Sequence, residues 1–231
     1  MIRPRRAGHT ALLALAGLLP SVASAQTTTA PPAPADGCRV VIDYSDAVIG
    51  EFPAGWQPRD EAARATYRTV AEAGLRFVRA TAEGTGSQMG KEFPWDAVAH
   101  PILTWQWRPR VFPPGSDERD PARYDSVLAV YAVFGSSAIV TRAVKYVWSR
   151  VVPAGTTLPG RTARVVVLRS GPPPDEGWVT ETANVRGDYE RVYGEAPARA
   201  RGVAILTDAD QTKSRAVGDY GVFRVCPDRP R

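Results

Sequence analysis

Arg108, Asp117, Glu118 and Arg119 stand within twelve residues of one another, with Gln106 just ahead of them, in the stretch TWQWRPRVFPPGSDERD at 104–120. Guanidinium forks and carboxylates in one loop offer planar donors and acceptors that match a ring of sugar hydroxyls or an acidic sugar. The same groups can instead pair with each other and only hold the loop, which is worth little when exposed. Trp105 and Trp107 alternate with Gln106 and Arg108, so on a strand the rings share one face and the polar groups the other. Either the rings lie open and stack on sugar faces, or they pack between two sheets. Large aromatics dominate cores, so the second arrangement is expected, with Gln106 and Arg108 on the exposed face. The Pro113-Pro114-Gly115 hinge would then fold Asp117, Glu118 and Arg119 back toward Arg108 as one ligand-binding group.

Asp208 and Asp210, in LTDADQT, place two carboxylates one residue apart after an apolar run. Oxygen ligands at that spacing suit calcium, and Asp also starts ordinary turns. A structural calcium there is the one cofactor the sequence suggests. Gly84, Gly86 and Gly90 imitate a phosphate loop, but no Lys-Ser/Thr follows, and a glycine-rich turn is expected. Beyond the first 25 residues the chain has one histidine, His100, with no supporting motif, so a Ser-His-Asp or Cys-His site is not expected. Zinc lacks ligands. No catalytic residue is assigned. The alternative to a non-catalytic protein is a polysaccharide-degrading enzyme, using paired carboxylates such as Glu118 with Asp125, or Tyr and Arg; a structural envelope protein is a further alternative.

These groups need rigid elements beneath them, and the apolar pattern says which. Period-two alternation recurs at 39–43, 67–71, 75–82, 102–108, 127–134, 144–149, 164–168, 178–184, 203–207 and 220–225. Twenty glycines and 21 prolines, gathered in clusters such as FPAG, FPPG and GPPPDEG, fit many turns between short strands. Only 186–194, RGDYERVYG, reads as a short helix. The run VLAVYAVF at 127–134 is apolar on both faces and must be central in its sheet. The expected fold is therefore all-β, a two-sheet β-sandwich of jelly-roll type with one short helix.

The chain opens with Arg3, Arg5 and Arg6, a ten-residue apolar run and an Ala-Ser-Ala site ending at Ala25. That pattern is an export signal, residues 1–25, and the apolar run is too short to span a bilayer. Residues 26–37, QTTTAPPAPADG, form a flexible linker, 38–227 the sandwich domain and 228–231 a tail. The net charge is +5, but three of those charges lie in the signal, leaving +2 for the rest. So small an excess makes no electrostatic case for nucleic acid. Cys38 and Cys226 bracket the domain in an oxidising compartment, periplasmic or extracellular, and are expected to pair.

The ordered set WQWR, GSDERD, VLAVYAVF, YVWS, LRSG, NVRGDYERVYGEAP, GVAILTDADQT and DYG resembles the DUF3047 family of exported bacterial proteins, over roughly 48–223. Gln106 stands where that family usually has arginine, and Val222 where it usually has aspartate. The resemblance implies a galactose-binding-like jelly roll and no settled activity. The expectation is an exported, non-catalytic β-sandwich that binds a glycan or another cell-envelope component, with no transmembrane helix in the mature chain and no nucleic-acid partner.

Overall fold

The computed structural model describes residues 37–135, 141–160, 163–173, 175 and 177–228. The expected signal at 1–25, the expected linker up to 36 and the tail from 229 lie outside the described residues. In chain order the elements are β1 (Arg39–Ile42), β2 (Gln57–Pro58), α1 (Glu61–Thr66), β3 (Tyr67–Glu72), β4 (Leu75–Glu83), β5 (Gly86–Trp95), β6 (Ile102–Val111), β7 (Leu128–Gly135), β8 (Thr141–Ser149), β9 (Thr157–Leu158), β10 (Arg164–Ser170), β11 (Val179–Asn184), α2 (Val185–Tyr193), β12 (Ala200–Asp208) and β13 (Arg215–Cys226).

Two sheets result. The six-stranded sheet runs β11-β6-β13-β4-β3, with β1 also paired to β13; the seven-stranded sheet runs β2-β5-β12-β7-β8-β10-β9. Pairing is antiparallel except between β8 and β10. The chain crosses between sheets at β1–β2, β2–β3, β4–β5, β5–β6, β6–β7, β10–β11, β11–β12 and β12–β13, which is the alternation of a jelly roll. Among the described residues no helix is long and apolar enough to cross a membrane.

The core lies between the sheets and follows strand alternation. On β6, Leu103, Trp105 and Trp107 are fully buried while Thr104, Gln106 and Arg108 point the other way. Trp105 packs 5.5 Å from the Tyr146 ring of β8, and Trp107 5.7 Å from Trp148, so the two sheets meet through these rings. β7 is the fourth of seven strands, as its two apolar faces required. Leu128, Val130, Ala132 and Phe134 face the core. Ala129 faces outward, beneath a second small cluster with Val147, Val152, Val165 and Val167.

Two elements differ from expectation. The glycine-rich stretch is a strand, β5, preceded by a turn in which Gly84 takes φ 59°. Ser87 and Met89 alternate inward, but Gly86, Gly90, Lys91 and Glu92 around them hide the period. A second helix, α1, forms because the Asp60 side chain caps it, accepting from the Ala63 N–H at 3.0 Å. The Cys38–Cys226 disulfide is present and ties the residue before β1 to the end of β13, where Arg39 already pairs with Val225. Closing a loop of 188 residues restricts the unfolded chain, by up to about 5 kcal/mol in the chain-entropy account.

Candidate functional site

Arg108 leaves β6 on the outer face of the six-stranded sheet, and there it is fully engaged. Asp219, on the neighbouring β13, is buried and accepts from Arg108 Nε at 2.9 Å and Nη2 at 2.7 Å. It also accepts from Arg79 of β4, Nε at 2.7 Å and Nη2 at 3.0 Å. Glu72 closes the group from above, taking Arg79 Nη2 at 2.9 Å and Arg108 Nη2 at 2.8 Å. These bonds, Arg108's first, hold the Glu72 carboxyl below its ordinary range. The Arg108 guanidinium also lies 4.7 Å from the Trp178 ring and 5.4 Å from Phe77. Gly221 makes this packing fit, since a Cβ there would come within 2.9 Å of the Gln106 Cβ. Of the two residues expected on the exposed face, Arg108 is engaged by Asp219 and Glu72, and Gln106 lies against Gly221 of β13.

Asp117, Glu118 and Arg119 are elsewhere, because the loop after β6 crosses to the seven-stranded sheet before β7 begins. Among the described residues no hydrogen bond or ion pair joins them to Arg108. Asp117 and Arg119 pair with each other, Nε to Oδ1 at 2.8 Å and Nη2 to Oδ2 at 2.7 Å. The arginine holds the Asp117 carboxyl down at about 2. Glu118 turns inward, nearly fully buried, and accepts from the hydroxyls of Ser126, at 3.0 Å, and Ser149. Tyr146, the next residue after Lys145, faces the core and donates to Asp188 at 2.9 Å.

Glu118 and Arg119 do line a cleft of about 670 Å³. Its floor is the outer face of the seven-stranded sheet: Tyr131 of β7, Lys145 of β8, and Leu206 and Asp208 of β12. Tyr124 stands over it, with Arg59, Asp60 and Gln211 at the sides. Lys145 is only 3 % exposed, its Nζ 4.7 Å from the Tyr124 ring and 5.8 Å from the Tyr131 ring. Strand alternation in AVKYVWS puts it on the outer face while Val144 and Tyr146 enter the core.

Asp208 is joined in space by Asp210, as expected, and by Asp125, which sequence spacing does not reveal. One oxygen from each lies within 4.8 Å of the others. Burial, then Asp210 and Asp125, push the Asp208 carboxyl up to about 7, against the pull of Lys145. Asp125 is held by the N–H groups of Gln211 and Thr212, at 3.2 and 2.8 Å, and by the Thr212 hydroxyl. Gly86 makes room for Asp208, for a Cβ there would sit 2.0 Å from its Oδ1. Oxygens around one calcium, each 2.3–2.6 Å from it, can be up to about 5 Å apart, so the trio has a spacing a hard cation accepts. The buried Oδ1 of Asp210, which no donor reaches, is the atom such an ion would engage first.

The residues missed from sequence are Lys145, Tyr124, Tyr131 and Arg59. Only Lys145 left a signal there, a charge inside the apolar run AVKYVW of β8. His100 contributes its backbone carbonyl to the Trp95 indole N–H, at 3.2 Å, and lies outside the cleft.

Among curated proteins no sequence matches this chain. Among solved structures, it is similar to TmCBM61 in complex with β-1,4-galactotriose, at 9% identity and a TM-score of 0.38, over 81% of this chain and 99% of that one. It is also similar to a cellulase derived from Cel12A of Rhodothermus marinus, at 12% identity and a TM-score of 0.37, over 76% of this chain and 97% of the other. The family comparison reaches further, because residues 54–224, which hold every strand but β1 and the last two residues of β13, and the whole cleft floor, match the family described as "Protein of unknown function (DUF3047)", and the chain belongs to that family.

Proposed function

We propose that this is an extracytoplasmic binding protein whose cleft over the seven-stranded sheet takes a saccharide of the cell envelope, without catalysing a reaction. One observation carries the reading. A cleft of about 670 Å³ combines two tyrosine rings with a few polar groups of both signs. That volume is in the usual range of small-ligand sites, which are largely apolar with a few placed polar groups. Sugar rings need flat apolar surface for their C–H faces and fixed donors and acceptors for their hydroxyls. Tyr124 and Tyr131 supply the first, and Arg59, Asp60 and Gln211 the second. The leader-like residues 1–25 and the Cys38–Cys226 bridge are compatible with a place outside the cytoplasm.

A glycan array probed with the chain from Gln26 onward tests this, followed by titration calorimetry on the best hit. Tyr131→Leu keeps apolar volume over the small outer cluster but removes the ring. It is expected to weaken binding about tenfold with little change in melting temperature. Unchanged affinity would remove the floor of the cleft from the site.

A hydrolytic second reading has one observation in its favour: Asp208 keeps a proton near neutrality in the same cleft as Glu118. A carboxylic acid that keeps a proton near neutrality is what a glycosidase's general acid needs. Against it, both Glu118 oxygens are occupied by serine hydroxyls. Release of reducing ends from a glycan found on the array, abolished by Asp208→Asn, would establish hydrolysis.

A further inference from the structure

Five charged side chains are buried in the described part of the chain: Glu118, Asp125, Lys145, Asp208 and Asp219. The four acids each accept at least one hydrogen bond. Glu118 has two serine hydroxyls, Asp125 has Gln211 and Thr212, and Asp208 has the Asp210 N–H at 3.3 Å. Asp219 has two guanidiniums. Lys145 is the exception. Among the described residues its ammonium makes no hydrogen bond and no ion pair; it lies against the rings of Tyr124 and Tyr131, and the Asp208 carboxyl feels its charge from beyond hydrogen-bond distance. Its neighbours across the sheet are Tyr131 on β7 and Val165 on β10, and among the described residues neither side chain hydrogen-bonds to it. An ammonium carries three donors and accepts nothing, and a buried charge without a partner costs stability. It lines the cleft, so an acceptor can reach it from there.

We infer that the cleft selects saccharides carrying an anionic group, a carboxylate or a sulfate, and that Lys145 is the residue that takes it. This rests on the saccharide reading above and adds the ligand's charge to it. Three features support an anion over a neutral sugar. First, Asp208 is near enough to feel the ammonium's charge but accepts no hydrogen bond from it, so its donors still lack acceptors, and a carboxylate or sulfate offers several charged acceptors where a neutral hydroxyl offers one. Second, the two tyrosine rings hold the ammonium in place without satisfying its donors, so its geometry is set before the ligand arrives. Third, Arg59 stands at the side of the cleft with no hydrogen bond or ion pair of its guanidinium among the described residues, a second cation for the same group. The acids of the cleft then serve the hydroxyls: Asp60 and Asp208 accept from them, which orients the sugar with its anionic group over Lys145.

The test compares an oligogalacturonate with its methyl ester, which has the same backbone without the charge, and with a sulfated galactan, by titration calorimetry against the chain from Gln26 onward. The wild type is expected to prefer the free acid or the sulfated polymer to the ester by at least about tenfold, the size of one charge-assisted hydrogen bond. Which of the two binds tells carboxylate from sulfate. Lys145→Met, nearly isosteric and uncharged, is expected to erase that preference without lowering the melting temperature, because it removes a buried unpaired charge. Lys145→Arg is expected to keep part of the preference. Equal binding of acid and ester by the wild type overturns the inference while leaving the cleft as a saccharide site, provided Tyr131→Leu still weakens both. A preference that survives in Lys145→Met also overturns it. No binding to any of the three, with hits elsewhere on the array that Tyr131→Leu leaves intact, removes both readings at once.

Discussion

On the outer face of the six-stranded sheet a buried carboxylate, Asp219, is chelated by two guanidiniums; on the outer face of the seven-stranded sheet a buried ammonium, Lys145, has no hydrogen-bond acceptor among the described residues. Both charges are set on strands by the same alternation, both sit beside aromatic rings, and both are shielded from water. The difference is in the count of donors and acceptors. Around Asp219 every oxygen is met, and Glu72 bridges the arginines from the solvent side. Such a group is complete without a ligand, and its parts are expensive to remove singly although an apolar set could replace them all. Around Lys145 the set is incomplete, at a standing cost in stability. A protein keeps such a residue where function requires it, and stability is the recurrent sacrifice at binding sites. Residue type therefore does not tell the closed face from the open one, but satisfaction does.

Asp219→Ala strikes the closed face hardest. It leaves Arg79 and Arg108 facing each other over an empty buried site, and loss of one partner from a buried pair costs about 3–5 kcal/mol. In a domain of this size that lowers the melting temperature by about 10 °C. Ligand affinity, read below the transition, is expected to stay at the wild-type value. A variant melting within about 2 °C of wild type would show that the network contributes no more than exposed pairs do. Arg108→Ala has the same sign, against the role its place in the loop sequence suggested.

The next effect belongs to the open face and depends on pH. Asp208 holds its proton up to about 7 in the folded chain, while its ordinary value is 3.8. The folded state thus binds a proton that the unfolded state has released, and stability contributed by this group is present below about 4 and is lost as pH rises through 7. A difference of that size corresponds to at most about 4 kcal/mol, and sharing among Asp125, Asp208 and Asp210 reduces it. Melting temperatures in EDTA are expected to fall between pH 5 and pH 8 by more than in Asp208→Asn, which cannot ionise. Identical slopes would mean that water reaches the carboxylate freely. Calcium that raised the wild-type melting temperature at pH 8 and left Asp210→Asn unmoved would put an ion among the three carboxylates, the role the sequence suggests for Asp208 and Asp210.

The contrast between the faces also marks what sequence could reveal. β6 and β7 were legible because their period is clean, and the inward turn of Trp105 and Trp107 followed from it. β5 was not, because Gly86, Gly90 and Lys91 interrupt the alternation and Gly86 is there for the sake of Asp208, more than a hundred residues later. Pairs close in sequence, such as Asp117 with Arg119, were within reach. Arg108 was expected to be free because its partner Asp219 lies 111 residues away and only sheet pairing brings them together. Lys145 and Asp125 entered the site the same way, through the order β5-β12-β7-β8 and the loop before β7, which no local pattern encodes.

The smallest effect, and the one that separates rim from floor, is that of Arg119→Ala. Arg119 was the sequence's own choice for the site, and it does line the cleft. Its guanidinium, however, is exposed and already paired with Asp117. Exposed pairs contribute little to stability, so the variant is expected to melt within about a degree of wild type. Its effect on an anionic saccharide acts through water and is screened beyond about 10 Å at 0.1 M salt. Affinity for the oligogalacturonate is therefore expected to drop only about two- to threefold at low salt, and the drop to vanish at high salt, as rim charges behave in other interfaces. Lys145 lies below water's reach, and its contribution should persist at the same high salt. The two variants thus predict opposite responses to one added reagent. An Arg119→Ala variant that loses as much affinity as Lys145→Met, at both salt concentrations, would move the binding site out of the cleft floor and into the loop at 116–119.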